Sequence, residues 1–167
     1  MEEIVVRLLG LEDSIYELTA LLHRAYKRLA DMNLRFVATY QDEATTRDRI
    51  EGAECYVAQI DGRIVGTIAF RDAEKTEGCP WYDRPEVASF GQFAVEPDLQ
   101  GRGIGTALLR FIEQRAIESG AAELALDTAE PASHLIDYYS KVGYRIVDRV
   151  QWDVTNYVSV IMSKKLA

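Results

Sequence analysis

The stretch Phe93-Ala94-Val95-Glu96-Pro97-Asp98-Leu99-Gln100-Gly101-Arg102-Gly103-Ile104-Gly105-Thr106 decides how the rest of the chain is read. An apolar run ends at Val95, a short turn carries Pro97, three glycines alternate with other residues, and an apolar-periodic segment follows. Strand, turn, glycine cluster and helix in that order make an anion site. Glycines let backbone N–H groups turn toward a ligand with no Cβ in the way, and a helix N-terminus adds unpaired donors and the positive end of its dipole. Arg102 adds a charge. Neither nucleotide pattern fits: no Gly-Lys-Ser/Thr follows, and Thr106 stands where the dinucleotide fingerprint needs a third small residue. The plain alternative is a helix entered through a flexible glycine turn. Three alternating glycines lose much backbone entropy on folding, which argues for a close approach of something at this point.

Working outward, residues 87–95 read as the strand before the glycines. Beyond Gly105, the positions Leu108, Phe111, Ile112 and Ala116 mark an amphipathic helix that Gly120 can close. On the N-terminal side, residues 4–9 read as a first strand. From Leu11, apolar residues at Ile15, Leu18, Leu22, Ala25 and Leu29 predict a helix with Glu12 and Asp13 near its positive end. Residues 42–50 predict a short polar helix stopped by Gly52. Asp61-Gly62 between two apolar runs predicts a hairpin of residues 55–60 and 63–70. Residues 71–86 are a loop. On the C-terminal side come a short strand at Leu124 and Leu126 and a helix entered at Pro131. That helix has Leu135, Tyr138, Tyr139 and Val142 on one face and stops at Gly143; strands at 144–150 and 158–162 close the chain. This pattern predicts an α/β fold, with a mixed, largely antiparallel central sheet and helices on both faces.

Composition bounds the function. With 167 residues, 48% of them hydrophobic, the chain can close one core but is short for two, so a single domain over residues 1–167 is expected. No segment approaches the roughly 20 apolar residues of a membrane span. Met1-Glu2-Glu3 has neither the basic start nor the apolar core of a signal peptide, so the expected location is cytoplasmic, with no membrane partner. Cys55 and Cys79 lack the spacing of a zinc site and are expected to be free thiols; no metal is expected. A net charge of −8 argues against nucleic acid, whose phosphates are held by clustered Lys and Arg, and suits a cationic substrate better.

The glycine stretch resembles the acetyl-CoA signature of the GNAT superfamily of N-acetyltransferases, Gln/Arg-x-x-Gly-x-Gly/Ala, with Gln100, Gly103 and Gly105 in the matching places. The likeness extends over nearly the whole chain. It includes Tyr139-Ser140-Lys141-Val142-Gly143-Tyr144, similar to the family's Tyr-x-Lys-x-Gly-Phe/Tyr run. The resemblance implies a GNAT-like fold that takes acetyl-CoA as co-substrate and passes its acetyl group to a primary amine by direct attack. It implies that the backbone of Phe93, Ala94 and Val95 bonds the acetyl and pantetheine portions, and that Gln100, Gly101, Arg102, Gly103, Ile104, Gly105 and Thr106 hold the pyrophosphate. The family's Asn at the start of the later helix has no match here. Ala132 and Ser133 occupy that region, Ser133 being a weak substitute. A homodimer would also fit the family.

Acetyl transfer needs a neutral amine, a polarised carbonyl and a proton for the departing thiolate. By the resemblance, Tyr139 supplies that proton; the competing reading makes it the inward aromatic of an amphipathic helix. The general base is unassigned. Ser89, Gly91, Gln92 and Phe93 are not bases at neutral pH, which leaves Glu96, Asp127, Glu130, His134 or a water relay. Trp81, Tyr82, Phe36 and Tyr40 lie in irregular segments and are candidate pocket walls or plugs of the core edge. Two other functions stay open, transfer of a larger acyl group and a CoA-binding sensor without turnover. The acceptor amine is not readable.

Overall fold

At Asp61-Gly62 the backbone takes positive φ twice, 49° and 80°, so the chain reverses in the two-residue turn that the sequence calls for. The strands so joined are β2 (Glu54–Ile60) and β3 (Arg63–Arg71). The computed structural model describes residues 3–166. In chain order the remaining elements are β1 (Val5–Leu8), α1 (Ile15–Asp31), α2 (Glu43–Glu51), β4 (Val87–Val95), α3 (Ile104–Glu118), β5 (Glu123–Ala129), α4 (Ser133–Lys141), β6 (Arg145–Val150) and β7 (Ser159–Lys165). The seven strands form one sheet in the order β1-β2-β3-β4-β5-β7-β6. Every neighbouring pair is antiparallel except β4 and β5, which run parallel.

Alternate residues of β2 separate the two layers. Cys55 and Val57 join Leu18 of α1 in one apolar cluster, while Tyr56, Ala58 and Ile60 join Leu108 and Ile112 of α3 in the main core. Helices therefore cover both faces, as the period-two pattern of a doubly buried strand requires. Tyr139 of α4 belongs to the α3 side. Cys55 and Cys79 are buried free thiols in separate clusters. No helix among the described residues is long and apolar enough to cross a membrane.

Three helix starts differ from the periodicity. Helix α1 begins at Ile15, capped by Ser14, whose hydroxyl accepts from the Glu17 amide. Asp13 stays outside the helix because its carboxylate takes the Gly10 amide and the Arg7 guanidinium, the latter at 2.7 Å. Helix α3 starts at Ile104, one residue before Gly105, and α4 at Ser133, two after Pro131.

Gly66 of β3 sets how closely α3 lies on the sheet. A Cβ there would stand 2.9 Å from Leu108 Cδ1 and 3.1 Å from Ile104 Cγ2, both on buried side chains. Since Ile104 is the first residue of α3, this contact also fixes the height of the helix N-terminus above the sheet. Gly66→Ala is predicted to destabilise the fold by about 1–3 kcal/mol through overpacking. The effect is read as a lower urea midpoint at unchanged slope.

Candidate active site

Strands β4 and β5 pair over only three positions, Val87 to Ser89 against Glu123 to Ala125. Beyond them the two strands part. The cause lies in β4: against β3, Ala69 faces Gly91 and Thr67 faces Ala94, so Gln92 and Phe93 together oppose Ile68. Two residues facing one make a β-bulge, which bends its strand and sharpens the twist. Gln92 takes φ 48°, a left-handed conformation unfavourable for a residue with a Cβ. Its side chain is anchored to offset that. Gln92 Oε1 accepts from Gln41 Nε2 at 3.0 Å, both side chains being buried.

The wedge between the parted strands opens into a cavity of about 870 Å³. Phe93, Ala94 and Val95 line it from β4, and Leu126, Asp127 and Thr128 from β5. Gln100, Gly101, Gly103, Ile104, Gly105 and Thr106 line its far end, and Tyr138 and Tyr139 come in from α4. Of the residues predicted to hold the co-substrate, all but Arg102 therefore meet on one wall system; Arg102 is exposed and outside the lining. Helix α3 has Gly103 as its N-cap, with φ 86° and no side-chain cap. The orphan amides of its first turn are thus left to a ligand or water. Gly101 and Gly103 both have positive φ, and no atom lies within 4 Å of a Cβ built on either. Glycine is demanded there by backbone conformation, and the space above the loop is open.

The other candidates divide. Glu96 is buried, but its carboxylate is held by Arg24 through two bonds of 2.9 and 2.8 Å and approached by Arg63. The Arg24 contact holds its pKa below the usual carboxylate range against the opposing effect of burial. It braces α1 against the end of β4. Glu130 is exposed and pairs with Arg149. His134 and Ser133 lie on α4 outside the cavity lining. Of the four aromatic candidates Phe36 lines the cavity, and Tyr40, Trp81 and Tyr82 do not.

Asp127 is different. It is the one exposed residue of β5, and it lines the cavity. Burial raises its pKa, partly countered by the Tyr82 hydroxyl, which donates to Oδ1 at 2.8 Å, and by the positive field of Arg49. Tyr139 is 8% exposed, sits edge-on to Tyr138 and Tyr144, and is pushed well above the usual tyrosine range by burial. Tyr26 of α1 also lines the cavity and is pushed up to about 12, chiefly by burial, with Arg49 and the Phe93 amide acting in the opposite direction.

The sequence profile described as the Acetyltransferase (GNAT) family matches residues 15–144. The chain belongs to that family. It is 32% identical over 164 residues to S-(2-succino)cysteine N-acetyltransferase of Bacillus subtilis (strain 168), covering 95% of this chain and 94% of the relative. It is 26% identical to S-alkylcysteine N-acetyltransferase of the same organism, covering 99% and 91%. Among solved structures, a GNAT family acetyltransferase from Elizabethkingia anophelis with acetyl-CoA bound superposes with TM-score 0.68 at 18% identity, over 98% of both chains. Ard1 from Thermoplasma volcanium does so with TM-score 0.73 at 17% identity, again over 98% of both.

This GNAT chain is an acetyl-CoA-dependent N-acetyltransferase, and its cavity fits the co-substrate in two respects. The uncapped start of α3 suits a diphosphate, and the β4 backbone past Ser89 has lost its parallel neighbour, leaving edge groups for an amide-bearing arm. Among the described residues there is no group of three His, Cys, Asp or Glu that could hold a metal ion. Cavity-lining residues that the sequence did not single out include Tyr26, Arg49 and Tyr157. Tyr26 borders the predicted apolar stripe of α1, which could have signalled it. Arg49 sits in a polar helix with no such pattern. Glu96→Gln is predicted to lower stability by about 1–2 kcal/mol, since Arg24 and Arg63 reach water and lose only part of their stabilisation. Chemical denaturation of the acetyltransferase checks this.

Proposed function

We propose that this N-acetyltransferase moves the acetyl group of acetyl-CoA to the α-amino group of a small S-substituted cysteine, with Tyr139 as general acid. The acceptor class comes from the names of the two Bacillus relatives, which share nearly the full length of the chain. The observation that carries the catalytic reading is the location of Tyr139 on the wall of the wedge between β4 and β5.

Acetyl-CoA supplies an activated thioester. The β4 amides next to the bulge are suited to donate to its carbonyl oxygen, and the α3 amides with Thr106 to receive the diphosphate. As the amine nitrogen bonds to the carbonyl carbon, the carbon–sulfur bond breaks and its electron pair stays on sulfur. The phenolic proton of Tyr139 goes to that sulfur, and the proton released by the amine passes to water and returns to the phenolate. Burial favours this role, because a phenol held well above its usual pKa stays protonated throughout the working range.

Two outcomes test the assignment. Thr106→Glu would set a carboxylate at the α3 N-terminus without disturbing a positive-φ residue. It is predicted to abolish the thermal stabilisation that acetyl-CoA confers while leaving the ligand-free melting temperature within a few degrees. Tyr139→Phe is predicted to lower turnover with S-methyl-L-cysteine by roughly two to four decades at little change in acetyl-CoA affinity. The raised phenol moves the basic limb of the pH–rate profile above the reference value of about 10, so wild-type turnover should still hold at pH 10. Wild-type activity in the Phe variant would reduce Tyr139 to core packing.

A further inference from the structure

At the acceptor end of the cavity a buried polar chain has no part in the mechanism above. Thr19 and Thr46 share a hydroxyl–hydroxyl bond of 2.7 Å, Gln41 Nε2 donates to Thr46 at 2.8 Å and to Gln92 at 3.0 Å, and Arg49 Nη1 donates to Gln41 Oε1 at 2.7 Å. Thr46, Gln41, Thr19 and Gln92 are all buried. The chain ends in a guanidinium on the cavity wall. Among the described residues Arg49 forms no ion pair and donates only to Gln41, so this cavity-lining guanidinium keeps further N–H groups for a ligand. Other arginines near the core have such a partner: Arg24 with Glu96, Arg115 with Glu54, Arg145 with Glu123.

Asp127 lines the same cavity from β5, and its positive neighbours include Arg49 and Arg71. A half-buried guanidinium oriented by a buried amide, on the wall of a cavity that a carboxylate also lines, is complementary to a zwitterion. We propose that Arg49 receives the carboxylate of the acceptor and Asp127 its amino group, which arrives as an ammonium and loses one proton to water before it attacks, so that the enzyme selects amines bearing an adjacent carboxylate. This assignment rests on the acetyltransferase reading and adds to it the residues that read the acceptor. Gln41 then acts as a positioning residue. It ties the guanidinium to Gln92, one residue from Phe93, so the carboxylate pocket and the bulged strand share one rigid frame.

The test compares S-methyl-L-cysteine with S-methylcysteamine, which lacks only the carboxylate. Wild type should prefer the amino acid by about 10- to 100-fold in kcat/KM, the range of a charge-assisted pair, with the difference in KM. Arg49→Met should bring the two probes within a few-fold of each other, and Arg49→Lys, which keeps the charge but not the fork, should restore part of the preference. A wild type indifferent to the carboxylate, or a Met variant that keeps the preference, overturns the assignment. So does a Met variant that loses acetyl-CoA affinity in parallel, since Arg49 would then be structural. Calorimetric binding of the two probes separates this from failure of the acetyltransferase reading. If neither probe releases thiol, a carboxylate preference in binding that Arg49→Met removes still upholds the Arg49 assignment, and its absence overturns that too.

Discussion

The left-handed conformation of Gln92 is the constraint on which the site depends. One extra residue in β4 turns a strand that would otherwise stay paired with β5 into the wall of a cleft. Such a conformation persists only where its surroundings over-determine it. Here the determinants are the β3 ladder on one side and the buried amide–amide bond to Gln41 on the other. The cavity, the exposed edge of β4 and the position of Tyr139 across from it all follow from this one bend. The second determinant lies in Gly66, whose missing side chain lets α3 settle against β3 and so brings the uncapped helix end to the mouth of the same cleft.

The interior of the cleft treats charge according to where it lies. Burial pushes the phenols Tyr26 and Tyr139 upward and the Arg49 guanidinium downward, both toward neutrality. Asp127 moves the same way, with Arg49 and the Tyr82 hydroxyl limiting the shift. Glu96, nearby in sequence but tied to two arginines that reach water, moves the opposite way. Two carboxylates, one just past β4 and one within β5, thus have different chemistry, set by what each one faces.

Much of this was legible in the sequence. The Asp61-Gly62 turn, the apolar stripes of α1, α3 and α4 and the glycine run each depend on local periodicity or on a residue type with a single conformational use, and such signals survive without tertiary context. One wall of the cavity was legible for the same reason, because nine of the residues named for the co-substrate line it and fall in the glycine stretch and the strand before it. The opposite side of the cavity was not. Arg49 of α2 and Asp127 of β5 come to one cavity only through the tertiary fold, and α2, with its polar composition, gives no sign of a buried face. The bulge fell on a glutamine beside Gly91, where local chemistry gives no warning of positive φ. That the Glu96 carboxylate is held by Arg24 was not legible either, because Arg24 lies on another element.

The order of strands also constrains assembly. Strand β7 lies between β5 and β6, bonded to both, although β6 precedes it in the chain. The segment that becomes β6 can join the sheet only through β7, either as a preformed hairpin with it or after β7 has docked on β5. Because β5 leans on β4 over only three positions, the second wall of the cleft is unsupported until β7 has docked. The enzyme's site is therefore among the last parts of the molecule to become rigid, and a chain stalled before β7 would carry its glycine loop and no cleft to place it in.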